Sequence, residues 1–253
     1  MDTLQIDSED IILRVLGAKS LEIRNVPNRV TNQDVEKLSE INQPFLYASG
    51  NWGPGYVTIK NLVGRKAIIR SLVERLSLSV ARTIPRLNFV VGNVTGGVIP
   101  GWLLSEELEM LFCRTIPFVY VREARKKGGQ KELITGIANN PEIRPGDHCL
   151  VVEELVNFAQ TTCNSVEVLR GAGYVVNYAA TVLYYDNPEA KRALKELGIE
   201  MIYLFTLSDL LDAAEKHRVY PKKDIKGYRD FLKDPLGWQA DRGLTPIQRG
   251  GTM

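Results

Sequence analysis

Two adjacent carboxylates close an apolar run at residues 151–156, where the chain reads V-V-E-E-L-V. A buried acid is costly, so Glu153 and Glu154 there are expected to face solvent, a cation or a sugar. The next residues, N-F-A-Q-T-T, lead from a strand into a helix. Such an entry gathers backbone N–H groups and the positive end of the helix dipole, which suits a phosphate. The plain alternative is a solvated acid pair at a strand end, with a helix capped at Asn164 and Glu167 three residues on. A second candidate is G-N-V-T-G-G-V-I-P at 92–100. Gly96 and Gly97 let backbone approach a ligand closely and Thr95 offers a hydroxyl, although a glycine pair is also an ordinary turn. A third is V-R-E-A-R-K-K-G-G-Q-K at 121–131, whose cations could close over an anion or simply be solvated. His148 and His217 have no neighbours at metal-ligand spacing and read as structural. No G-x-S-x-G, H-E-x-x-H or G-x-x-x-x-G-K-[ST] pattern occurs.

These segments need elements to hold them. Helical spacing runs through residues 1–40, by Ile11, Ile12, Val15 and Leu16 and again by Val35, Leu38 and Ile41. Residues 45–61 are rich in Gly, Pro, aromatic and β-branched types, which predicts a hairpin around Gly50–Gly55. A helix follows over 65–82. Short apolar strands are then expected at Asn88–Gly92, Pro117–Val121, Cys149–Val152, Tyr174–Tyr184 and Met201–Phe205. Helices are expected between them, at Trp102–Leu111, up to about Arg170 and at Lys191–Leu197. That alternation implies an α/β fold with a mostly parallel sheet covered on both faces. Ligands of such sheets sit at the carboxyl ends of the strands, here the loops 93–97, 122–136, 153–161 and 185–188.

With 253 residues, 44% hydrophobic and 25% charged, the chain has ordinary globular composition and enough length for a sizeable core. A net charge of +2 is too balanced to indicate a nucleic-acid or membrane partner. Three cysteines without C-x-x-C spacing argue against a disulfide framework or zinc site and for a reducing interior. The start, MDTLQIDSED, lacks the basic and apolar regions of a signal peptide, and no run of 18 apolar residues suggests a membrane span.

Taken in order, these segments resemble the type I phosphoribosyltransferases, most nearly the orotate phosphoribosyltransferases. The resemblance runs from about residue 10 to about residue 238. It rests on the Ser49–Gly50 turn, Thr95–Gly97, the Val121–Gly129 loop, the acidic Val151–Leu155 and R-G-A-G at Arg170–Gly173. S-D-L-L-D-A-A at 208–214 and F-L-K-D-P-L-G-W at 231–238 extend it. It implies the type I phosphoribosyltransferase fold, with one domain over 1–220, a small hood of helices and hairpin within 1–62, and a helical extension over 221–253 docked on the body. The implied reaction transfers a phosphoribosyl group from phosphoribosyl pyrophosphate (PRPP) to a pyrimidine or orotate-type nucleobase in nucleotide biosynthesis. The implied cofactor is Mg2+, the implied setting a cytoplasmic homodimer without nucleic-acid or membrane partners.

By the same resemblance, Arg122 and Lys126 belong to a cationic loop that closes over departing pyrophosphate, reaching across a dimer interface; a gapped alignment uses Arg125 and Lys127. Thr95, Gly96 and Gly97 line the pyrophosphate. Glu153 and Glu154 hold ribose hydroxyls or magnesium-bound waters. Asn157, Thr161 and Ser49 complete the substrate-binding set.

The chain also departs from that pattern. Asn157, Phe158, Ala159, Gln160 and Thr161 stand where the family reads T-T-G-G-S/T, and a Cβ there is expected to clash or impose another shape depending on φ. Glu154 stands where Asp is usual. Ala48 replaces a lysine and Asn187 replaces an arginine that face an anionic base. Three readings follow: an active phosphoribosyltransferase, a catalytically degenerate relative that binds a nucleotide or phosphorylated ligand in a regulatory or structural role, and an enzyme of the same fold on another acceptor.

Overall fold

The computed structural model describes residues 8–32, 34–122 and 133–247. Helix α1 (Ser8–Gly17) buries Ile11, Ile12, Val15 and Leu16, as their spacing predicts. The helical expectation fails beyond it. Lys19 takes a positive φ, and Leu21–Ile23 form strand β1. Pro27 then breaks any helical continuation, and Val35–Lys37 and Glu40–Asn42 are single 3-10 turns. The hairpin expected around Gly50–Gly55 forms differently, with its returning strand inside that expected turn. Strands β2 (Phe45–Leu46) and β3 (Trp52–Gly53) pair with each other, whereas β4 (Gly55–Val57) turns away to pair with β1. A 3-10 segment, Ile59–Gly64, leads into α2 (Lys66–Thr83), which buries Ile69, Leu72, Val73, Leu76 and Val80.

The sheet is built from β5 (Phe89–Asn93), β6 (Phe118–Val121), β7 (Ile134–Thr135), β8 (His148–Val156), β9 (Val175–Tyr184) and β10 (Glu200–Thr206). Its spatial order is β10-β9-β8-β5-β6-β7. All neighbours are parallel except β7, which runs against β6. Helices α3 (Val98–Phe112), α4 (Gln160–Gly171) and α5 (Pro188–Glu196) alternate with the strands. Every residue of β5 is buried, as a strand covered on both faces requires. One core cluster joins α1, α2, α3 and the hood residues to one sheet face, and a second joins α4 and α5 to the other.

Beyond β10 come α6 (Leu207–Lys216), α7 (Lys222–Lys233) and α8 (Pro235–Ala240). Tyr228 and Phe231 of α7 enter an aromatic cluster with Tyr47 and Tyr185, and Trp238 of α8 meets Phe231 edge-on with ring centroids 5.5 Å apart. Tyr228 donates its hydroxyl to Tyr185 at 2.9 Å. The following segment reaches back to the hood. The Asn51 amide donates to the Ile247 carbonyl and accepts from the Ile247 N–H, both at 2.9 Å, while Gln239 bonds to Asn51 and to the Trp52 N–H.

Candidate active site

Because β5, β6 and β8 are parallel neighbours, Asn93, Val121 and Val152–Val156 end on one edge of the sheet. Both helices that leave this edge start without a side-chain cap: α3 follows Gly97 and α4 follows Ala159. Their first N–H groups and the positive ends of their dipoles face the edge, an arrangement that favours anions.

The Thr95–Gly97 loop is held tightly. Val94 donates to the Val121 carbonyl at 3.1 Å and Gly97 to the Asn93 carbonyl at 2.9 Å. A Cβ on Gly97 would strike the Val152 carbonyl, and one on Gly96 would overlap the Glu154 carboxylate. Close approach of the β8 backbone therefore requires Gly97, whereas Gly96 faces the end of a flexible side chain. Thr95 is exposed, and the Val94–Thr95 peptide is cis.

Strand β8 extends to Val156, so both acids lie inside it rather than beyond the predicted end at Val152. Adjacent strand residues point to opposite faces. Glu153 continues the side of Cys149 and Val151, whereas Glu154 continues that of Leu150 and Val152. The two carboxylates thus do separate things. Glu153 is buried, and one of its oxygens accepts from the Asn93 amide at 2.6 Å and the Thr161 hydroxyl at 2.8 Å. Glu154 is half-buried with its carboxylate against Gly96. Burial raises its pKa above the ordinary carboxylate value; its own N–H, that of Leu155 and the charge of Lys60 oppose that rise.

The 157–161 loop joins β8 to α4. Ala159 adopts the left-handed conformation, φ 59° and ψ 15°, that favours glycine, while Gln160, at the second replaced position, begins α4 with helical backbone. The Phe158 ring turns to the hood and packs on Tyr47, centroids 6.3 Å apart. Asn187 is fully buried. Its amide donates to the carbonyl and side-chain oxygen of Asn157 at 2.9 and 3.1 Å, and its oxygen caps α5 through the Ala190 N–H. It supports this loop instead of supplying a cation. The Asn157 Nδ2 and Thr162 Oγ1 atoms are buried without a hydrogen-bond partner among the described residues. Helix α4 begins at Gln160, so Asn164 lies within it and is not its cap.

The remaining expected residues fall at the margins. Arg122 donates Nε to Thr135 at 3.0 Å and Nη2 to the Tyr120 hydroxyl at 3.2 Å, which ties it to β7. Lys126, with Arg125 and Lys127, lies outside the described residues. Ser49 lies in the turn after Tyr47, where its hydroxyl oxygen accepts from the Asn51 N–H at 3.4 Å. Sequence reasoning missed Asn93, Lys60 and Tyr47. Asn93 carried a signal, being an amide at the end of the otherwise apolar F-V-V-G-N; the other two carried none. Among the described residues, no group of three or more His, Cys, Asp or Glu side chains is arranged to hold a metal ion.

Comparison with known proteins agrees with this geometry. Residues 56–217 match the phosphoribosyl transferase domain family. The chain is 29% identical over 206 residues to the orotate phosphoribosyltransferase of Phocaeicola vulgatus, covering 81% of this chain and 92% of the relative. The structure of Leishmania donovani UMP synthase superposes with a TM-score of 0.67 at 22% identity, covering 89% of this chain and 42% of that longer one. The orotate phosphoribosyltransferase of Aeropyrum pernix superposes with a TM-score of 0.60 at 19% identity, covering 81% of this chain and 99% of that one.

Proposed function

We infer the function from one premise: the chain belongs to the phosphoribosyl transferase domain family. On that premise it transfers the phosphoribosyl group of PRPP to a pyrimidine-type nucleobase, as an orotate phosphoribosyltransferase does. The observation that carries this is the meeting of two uncapped helix N-termini with the glycine loop at adjacent parallel strand ends. A donor with a phosphate at one end and a pyrophosphate at the other needs two such anion seats.

In this reading, the 157–161 loop and the first turn of α4 hold the 5-phosphate, with Asn157 and Thr161 beside it, and Thr95–Gly97 hold the pyrophosphate. The ring carbon C1 loses pyrophosphate as a base nitrogen bonds to it. Glu153, oriented by Asn93 and Thr161, faces the ribose and the positive charge that develops on it. Lys126 and Arg122 stabilise the departing pyrophosphate. Ser49 belongs to the acceptor side, where the hood meets the loop through Tyr47 and Phe158. Mg2+ fits this donor set as an ion carried by the substrate and its waters, with Glu153 or Glu154 in reach of the water shell. It would neutralise pyrophosphate charge. The degenerate-binder alternative is not favoured, because the relatives matched over most of the chain are orotate phosphoribosyltransferases.

Two further parts of the reading are a cytoplasmic setting and a homodimer. No described helix is long and apolar enough to cross a membrane. Ile99, Trp102 and Met110 are exposed on one face of α3, which supports a second copy covering it.

The test is thermal melting with PRPP and Mg2+, followed by assay of pyrophosphate release with orotate and uracil. Ligand at about a hundredfold its dissociation constant stabilises by about 2.7 kcal/mol. Lys126→Ala is expected to lower turnover by about 10²-fold or more while leaving the melting temperature unchanged. No shift with saturating PRPP would end this reading.

A further inference from the structure

The 95–97 loop already holds a side-chain carboxyl group. A Cβ on Gly96 would coincide with the carboxylate of Glu154, so that group sits in the space the absent side chain leaves. It gets there because Glu154 lies on the α3 side of β8, and because a glutamate reaches one carbon–carbon bond, about 1.5 Å, further than an aspartate. The positive charge of Lys60, from the 3-10 segment before α2, favours the ionised carboxylate. We propose that Glu154 is the resident, displaceable occupant of the pyrophosphate seat, and that its side-chain length sets how tightly this loop binds pyrophosphate.

The proposal rests on the functional reading above and adds the determinant of its affinity. A carboxylate against Gly96 and a phosphate group held by the same loop cannot share the space, so each ligand must first meet a loop from which Glu154 has withdrawn. Apparent affinity then falls by the fraction of molecules in that withdrawn state. If that fraction is about one-tenth, binding is about tenfold weaker than the bare loop allows. An aspartate at this position leaves Gly96 uncovered and removes the competition.

The experiment has two arms on the full chain. Calorimetric titration compares inorganic pyrophosphate and PRPP, each with Mg2+, on wild type and Glu154→Asp. The shorter acid is expected to bind pyrophosphate roughly tenfold more tightly. Equal or weaker binding overturns the proposal. The second arm needs no ligand: Gly96→Ala is melted in the wild-type and Glu154→Ala backgrounds. Since the carboxylate ends a flexible side chain that can swing aside, the alanine is expected to lower the melting temperature by a small but reproducible amount more when Glu154 is present than when its carboxylate is gone. An equal loss in both backgrounds means the carboxylate does not occupy that space, which overturns the proposal. PRPP binding by wild type with no gain in Glu154→Asp removes this inference alone; absence of any PRPP or pyrophosphate binding removes the functional reading as well.

Discussion

At Ala159 the backbone is left-handed, φ 59°, in a residue whose Cβ disfavours that conformation. The strain is the cost of keeping a glycine-shaped loop without glycine. Ala159→Gly is therefore expected to stabilise by about 0.5–1 kcal/mol, the steric relief outweighing the extra chain entropy lost. Thermal melting should show a rise of about 1–4 °C. Glu154 gives a pH-dependent counterpart. Burial first of all raises its folded-state pKa. Its contribution to stability is thus full below pH 4.5, the ordinary value, and is lost as pH rises through the folded value. Melting curves across pH should find Glu154→Gln more stable than wild type near neutrality, with the advantage disappearing at acid pH; an advantage that grows on acidification would contradict this. At this scale the types of Glu153, Glu154, Thr95 and the glycines were legible, because acids and glycines in strand-end positions have few reasons to be there. The destination of Phe158 was not. Its contact with Tyr47 spans more than a hundred residues of chain, and nothing local marks it.

Strand β8 decides what its acids can do. Because it continues to Val156, alternation splits Glu153 from Glu154, and a motif that looks like a pair becomes two independent groups. Sequence reading ended the strand at Val152, since two charges are a reasonable stop when hydrophobicity is the only guide. Those charges stay in register because β9 continues beside them, pairing Glu153 with Thr181 and Leu155 with Leu183. The Asn93 and Thr161 bonds then join the ends of β5 and β8 to the start of α4 through one carboxylate. Thr161→Ala removes a donor from a buried acid and is expected to cost about 1–3 kcal/mol. Urea unfolding should show it, and Thr161→Ser should restore most of the loss. The long elements α2 to α5 and the five parallel strands were readable from their period. Strands β1 and β7 were not, nor was the pairing of β4 with β1, since two or three residues establish no period and their partners are distant or antiparallel.

For the whole molecule, the parallel sheet makes the edge, the hood covers it from one side, and the last helices lock the hood. Asn51 is the bolt, with three hydrogen bonds to Ile247 and Gln239 through its amide. Asn51→Ala is expected to cost about 2–3 kcal/mol, and limited proteolysis should then cut the segment after α8 well before the body. A protection pattern unchanged from wild type would mean that the aromatic cluster holds this segment by itself. The overall architecture was legible because strand–helix alternation admits few arrangements, while the docking was foreseen only as scattered apolar residues in 221–253. The bond between Asn51 and Ile247 also has a consequence for biosynthesis. On the ribosome the hood is made 196 residues before its clasp, so the early turn waits unfastened while everything between them is synthesised. Asn51 gains these bonds only once Ile247 has left the exit tunnel.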